Sequence, residues 1–360
     1  MPRHIGSKIT FEELEKKFAD LDVPEEQLAF YFEGDPSMSV RLRPGLRPDP
    51  KKVIMTENDR RTASRLHETK EEVVEGAMAF DWLNGYLTWR RQKRFLSKPD
   101  DGRPMLVFEG DSWFQFPLLL DDIVDVLLDR FGHVGWCMSS AGAELSEMVK
   151  GGGEYRGALD RFKDRWKVFL FSGAGNDIVG AKATGDGSVL EDIVAPFEQG
   201  KPARDYLKND AYRRNMEGLR ANYELILDDI TGHYQGRPIL LHGYAHAWPG
   251  GFDGDPRRVI YAAQDQWIGR YMRSEKLNIK DHILQHEIVT LMIDDFNDML
   301  KSLCGGNNPR GKYKEAYHVD FRSLLTNVTD WNDELHPTDA SFLKIGAAMD
   351  DMIRKVLATV

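Results

Sequence analysis

Cysteine is nearly missing from this chain: Cys137 and Cys304 are the only two in 360 residues. A disulfide framework is therefore not the expected source of its stability, and a reducing, cytoplasmic setting is the expectation. Long apolar runs are missing too. No stretch approaches the roughly 18 uninterrupted apolar residues of a membrane span. The opening segment, MPRHIGSKITFEELEKKF, lacks the apolar core of a secretory signal. Basic residues are in deficit, with 48 Lys and Arg against 58 Asp and Glu and a net charge of −10. That balance argues against a nucleic-acid partner, because phosphate binding wants a basic face. Internal repeats and low-complexity stretches do not stand out. What is present is an ordinary supply of core: 41% hydrophobic against 29% charged residues. It is enough for a folded chain of one large or two ordinary domains.

Two regions read differently. In residues 1–103, Thr10-Phe11-Glu12-Glu13 has the form of a capping box, and Phe11, Leu14, Phe18 and Leu21 follow at helical spacing. Four X-Pro pairs between 33 and 52 push that piece out of helix and predict an extended path. Residues 69–96 return to helical spacing through Val73, Ala77, Phe80, Leu83 and Leu87, weakened by Asn84-Gly85. The basic run Arg90, Arg91, Lys93, Arg94 is read as a solvated helix end rather than a contact with an acidic membrane surface.

From 104 onward, short apolar runs alternate with helical stretches. Strands are predicted at 105–108, 134–138, 167–171, 238–241 and 316–321. Helices are predicted at 118–128, 205–231, 281–303 and 338–357. Such alternation predicts an α/β fold, a five-stranded, mostly parallel sheet with helices on both faces. In sheets of that kind ligands bind beyond the carboxyl ends of the strands, so the residues just after each strand carry the chemical interest.

Gly110-Asp111-Ser112 follows the first of these strands, where a serine at a strand-to-helix turn can present its hydroxyl and its N–H together. Gly142 follows the second, and glycine lets backbone approach a ligand closely. Asn176-Asp177 follows the third, and an asparagine amide can donate to an oxyanion without forming an ion pair. Asp333-Glu334-Leu335-His336-Pro337 precedes the last helix. An Asp and a His three apart on a loop can pair, leaving the other ring nitrogen to take a proton from a serine. Each segment alone reads as an ordinary turn, helix entry or cap. Their joint placement at one sheet edge carries the weight, since a serine hydroxyl needs a neighbouring base.

These four segments, in this order, resemble the GDSL/SGNH hydrolase family over about residues 104–357. The resemblance implies a three-layer α/β/α fold of flavodoxin-like type and a serine esterase or lipase that needs no metal or other cofactor. It implies Ser112 as nucleophile, His336 as base, Asp333 as its orienter, and an oxyanion hole of the Ser112 and Gly142 N–H groups and the Asn176 side chain. The implied substrate is a small-molecule or lipid ester. Ala174 departs from the family pattern, which usually has glycine two residues before the asparagine. The 160 residues between Asn176 and His336 exceed what compact members need, so part of 180–236 is expected to be an insertion or lid.

Rival readings follow from other clusters. His282 and His286 are four apart on a predicted helix, but Glu287 lies outside the pair where zinc hydrolases hold it inside, so a helix face is the better reading. Asp253-Gly254-Asp255 lacks the later glutamate of a calcium loop and reads as a turn. No metal site is expected. His242 and His246, after the fourth strand, are candidates for the wall of a substrate pocket or, equally, for core histidines bonded to backbone; Trp113, Phe114 and Phe116 are candidates for an acyl pocket, with aromatic core packing the better reading. The alternative function is a non-catalytic binding or assembly protein on the same fold, with the N-terminal region as a candidate self-association surface.

Overall fold

The computed structural model describes residues 8–35, 45–59, 75–150, 153–182 and 187–359. Four short strands precede the main sheet: β1 (Ile9–Thr10), β2 (Phe32–Gly34), β3 (Leu46–Pro48) and β4 (Val53–Ile54). β1 pairs with β4 in parallel and β2 with β3 antiparallel. Five longer strands follow: β5 (Met105–Glu109), β6 (Val134–Cys137), β7 (Trp166–Phe171), β8 (Ile239–His242) and β9 (Ala316–Val319). They form one parallel sheet in the order β6-β5-β7-β8-β9. This is the flavodoxin-like order, and its direction reverses between β5 and β7. The α/β expectation is met, each strand within two residues of its predicted bounds.

The sheet is buried on both faces, which explains why its strands read as near-continuous apolar runs. Leu106, Phe108, Val168, Leu170 and Leu240 face one core, shared with Ile345, Met349 and Ile353 of the last helix, Asp339–Leu357. Their neighbours Met105, Val107, Phe169, Phe171 and Leu241 face the other. There they meet Leu219, Tyr223, Ile226 and Ile230 of the helix Asp210–His233. The strand period of two thus divides the side chains between the two helical layers.

Three local expectations are corrected. The helix expected at 118–128 begins only at Ile123, where Asp122 caps it by accepting from the Val124 and Asp125 N–H groups, and it runs into a π-turn over Val126–Arg130. Arg90 and Arg91 are not a solvated helix end. Arg90 is fully buried and donates to the carbonyls of Phe18, at 2.8 Å, and Asp20, at 2.7 Å; Arg91 pairs with Asp122 at 2.7 Å and Asp125 at 2.5 Å. Asp210–His233 is the crossover helix between β7 and β8, so that part of 180–236 belongs to the sheet's own covering. A stretch as long as the one between β7 and that helix lies between β8 and the helix His282–Leu303.

The capping box at Thr10 forms as expected, with Glu13 accepting from the Thr10 N–H at 2.7 Å. The helix Glu75–Ser97 lies along β6, where the Gln92 amide donates to the Cys137 carbonyl at 3.1 Å. Phe11, Leu14, Phe18, Leu28, Trp82 and Leu83 form a smaller core that also takes in Ala141, in the loop after β6. Of the extended segment expected at 33–52, residues 36–44 lie outside the described residues, as do residues 69–74 of the second expected helix.

Candidate active site

Ser112 stands two residues beyond the carbonyl end of the buried strand-end glycine Gly110, in the turn after β5. Asp111, between them, is buried and fixes that turn. Its carboxylate accepts from the Trp113 N–H at 3.0 Å, from the Ser172 hydroxyl at 2.9 Å and from the Tyr244 hydroxyl. Burial pushes the Asp111 carboxyl above the ordinary aspartate range, against the pull of those hydrogen bonds. Tyr244 in turn accepts from the Gly175 N–H at 3.0 Å, so one buried carboxylate and one phenol tie the turn after β5 to the turn after β7.

His336 reaches this turn from the loop before the last helix. Its Nε2 lies 2.7 Å from the Ser112 Oγ, and its Nδ1 lies 3.0 and 2.9 Å from the two oxygens of Asp333. The ring is 1% exposed and Asp333 is 0% exposed, so water does not compete for either bond. Phe116 packs against the imidazole with ring centroids 4.2 Å apart. The Trp113 indole donates to the Leu335 carbonyl at 3.1 Å, tying the loop to the turn that carries the serine.

Asp333 is held from several sides. It accepts from the Leu335 N–H at 2.6 Å, the His336 N–H at 2.8 Å and the Tyr261 hydroxyl at 2.6 Å. Burial alone would raise its carboxyl, but the neighbouring His336 and these donors outweigh it and hold the group below the ordinary aspartate range. Tyr261 also accepts from the Asn332 amide, which leaves the phenol proton to Asp333. Burial and the Asp333 charge push the phenol far above its usual value, so it stays a donor. Next in the chain, the buried Glu334 carboxylate accepts four backbone N–H bonds, from Gly250 at 2.6 Å, Trp267 at 2.7 Å, Ile268 at 2.9 Å and Gly269 at 2.7 Å.

Two backbone donors are of interest in the turns after β5 and β6. Among the described residues the N–H groups of Ser112 and Gly142 have no hydrogen-bond acceptor in the protein. Gly142 has a φ of +82°, which a glycine adopts without strain. The Asn176 side chain is 5% exposed and gives one of its two amide hydrogens to the Ala143 carbonyl at 2.6 Å, leaving the other. Ala174, at the position where glycine was expected by resemblance, has a φ of +108°. The backbone path is the one glycine favours, followed here by a residue that dislikes it.

A cavity of about 80 Å³ opens beside Ser112 and Asn176. Its walls are apolar: Ile178, Leu190, Ile268, Met292 and Phe296 are among them, with Trp113 and Trp331. Met292 and Phe296 belong to the helix His282–Leu303, and Ile268 to the excursion after β8.

Of the residues expected at the site, Ser112, His336 and Asp333 come together in one hydrogen-bonded chain. Asn176 and Trp113 line the cavity with Ser112, and Gly142 lies next to Ala143, whose carbonyl accepts from Asn176. His242 and His246 do not line it. His242 is fully buried among Trp113, Phe114 and Phe321, and burial pushes its ring down to about 3. His246 points to Asp294, at 3.0 Å. His282 stacks on Phe252 and His286 on Trp248, with ring centroids 4.8 and 3.7 Å apart. Asp255 is paired with Arg257 at 2.7 Å. Among the described residues no group of three or more His, Cys, Asp or Glu side chains is arranged to hold a metal ion, and no helix is long and apolar enough to cross a membrane. Tyr244, Tyr261 and Glu334 were not anticipated. Only Glu334, inside the Asp-x-x-His segment, offered any signal.

No protein-family model matches the sequence, and neither does any curated protein. Solved structures similar to this chain include a lipase from a goat rumen metagenome, at 13% identity and a TM-score of 0.42, covering 69% of this chain and 96% of that one. A phospholipase A1 from Streptomyces albidoflavus matches at 11% identity and a TM-score of 0.42, covering 69% and 99%. An extracellular lipase from Streptomyces rimosus matches at 12% identity and a TM-score of 0.38, again covering 69% and 99%.

Proposed function

We propose that this chain is a serine-dependent carboxylic ester hydrolase acting on small-molecule or lipid esters with an apolar acyl group. The observation that carries the reading is the buried chain Ser112–His336–Asp333, with bonds of 2.7 and 2.9 Å, opening onto an apolar cavity. The resemblance of the four sequence segments to GDSL/SGNH hydrolases supports the same reading.

In this reading His336 takes the Ser112 proton as the hydroxyl attacks the ester carbonyl. Asp333 keeps the ring in the tautomer that presents a bare Nε2 and offsets the charge the ring acquires. The free N–H groups of Ser112 and Gly142, with the remaining amide hydrogen of Asn176, receive the negative oxygen of the tetrahedral intermediate. His336 then protonates the departing alcohol, and water releases the acyl group by the same steps in reverse. The apolar walls favour an uncharged acyl chain, because a charged one would lose its hydration there without a partner.

The test is labelling with a fluorophosphonate probe together with hydrolysis of a series of nitrophenyl esters. The expected result is labelling at Ser112, lost in Ser112→Ala, with turnover of apolar acyl esters and little of charged ones. A folded chain that neither labels nor turns over any member of the series would sink the proposal.

A further inference from the structure

The helix Glu75–Ser97 belongs to the part of the chain outside the resemblance, yet its Asn84 reaches the loop that holds Gly142. Asn84 is 5% exposed. Its Oδ1 accepts from the Ala141 N–H at 3.1 Å, and its Nδ2 donates to the Ala141 carbonyl, also at 3.1 Å. One amide therefore occupies both backbone groups of the residue before Gly142. Asn84 is itself held from behind, since the Gln115 amide, three residues past Ser112, donates to the Asn84 backbone carbonyl at 3.1 Å and to its Oδ1 at 3.4 Å. On the far side of Gly142, the Ala143 carbonyl accepts from Asn176 and the Ala143 N–H donates to Ser140 at 3.1 Å. Gly142 is bracketed between two asparagine amides, and its own N–H is left without an acceptor among the described residues.

We infer that Asn84 is a positioning residue for oxyanion stabilisation: by gripping the Ala141 peptide it aims the Gly142 N–H at the developing negative charge, which makes the N-terminal region a working part of the active site. The inference rests on the hydrolase reading above. Its physical basis is that an oxyanion donor contributes through placement fixed before reaction, and a small misplacement removes much of its effect. Asn84 itself touches no reacting atom. Its asparagine side chain, a poor helix former, sits mid-helix because both halves of the amide are used by a distant loop.

The test compares the full chain with Asn84→Ala and with Asn84→Asp, which keeps the shape and the acceptor but loses the donor. Steady-state kinetics on a nitrophenyl ester turned over by the parent chain are measured alongside thermal melting. Both variants are expected to lower kcat by about tenfold to a hundredfold while KM changes less than about twofold, the split expected when stabilisation is lost in the transition state only. A purely structural asparagine would lower the melting temperature and leave that split unmoved. Either variant, folded and with the parent kcat, overturns the role of Asn84. A parent chain that neither labels nor hydrolyses overturns the hydrolase reading instead, so the two failures are distinguishable.

Discussion

Ala174 shows most directly what one residue decides. A non-glycine residue at φ +108° carries strain on the order of 1–3 kcal/mol, partly offset because glycine loses more freedom on folding. Ala174→Gly is expected to stabilise the chain by about 1 kcal/mol, read as a higher denaturation midpoint with an unchanged slope. Asn176→Ala removes a side-chain donor from the proposed oxyanion site and should lower kcat by about 10²–10³. Tyr261→Phe deletes only the hydroxyl that donates to Asp333 at 2.6 Å. With its charge less dispersed, the carboxylate attracts an adjacent imidazolium more strongly, so the acidic limb of kcat/KM should move to higher pH; an unmoved pH profile would refute it. The residues around the serine and the histidine were legible because each stands in a short segment after a strand or before a helix. Tyr244 and Tyr261 were not, since their carboxylate partners lie 133 and 72 residues away in sequence. His242 and His246 illustrate the converse: position after a strand is readable, but whether a ring turns into the core or toward Asp294 depends on neighbours that sequence order conceals.

At the scale of elements, burial on both faces made the five strands easy to read, because no polar alternation interrupts them. The helix at 118–128 was overextended because spacing alone does not reveal that Asp122 caps its true start. Arg90 and Arg91 depart from expectation for a related reason. Charge near a helix end ordinarily means solvent, and only the folded arrangement brings Asp122, Asp125 and the end of the helix Phe11–Ala19 over them. Arg91 binds two carboxylates inside the protein, so Arg91→Ala leaves buried negative charge uncompensated. It should cost about 3–5 kcal/mol, measured by chemical denaturation. A covering for the cavity is expected in 180–236, and among the described residues of that stretch only Leu190 lines it; Ile268 comes from the excursion after β8 and Met292 and Phe296 from the following helix.

For the molecule as a whole, the parallel sheet followed from strand and helix alternation and its flavodoxin-like order from the family resemblance, while the docking of the helix Glu75–Ser97 onto β6 and the loop beyond it followed from neither. That docking is made of side-chain amides and guanidinium groups whose partners sequence spacing cannot name. Global stability should also respond to acid. Burial lowers His242 to about 3 and His318 to about 4. An unfolded histidine takes up its proton near pH 6.5, so between that value and the lowered one the unfolded chain binds more protons, and stability falls as pH falls. Each ring should withdraw about 2 kcal/mol between pH 7 and pH 5. Denaturation curves across that range would check this, with His318→Gln expected to flatten the slope.

The separation of 224 residues between the serine and the histidine it bonds has a consequence for synthesis. At roughly 5–20 residues per second, a ribosome releases the hydroxyl about ten to forty-five seconds before the imidazole. Throughout that interval the nascent chain carries the proposed nucleophile without its proposed base, and Glu334, which gathers the loop at 250 and 267–269, has not yet been made. In the proposed mechanism, translation itself therefore keeps the centre inert until His336 has emerged.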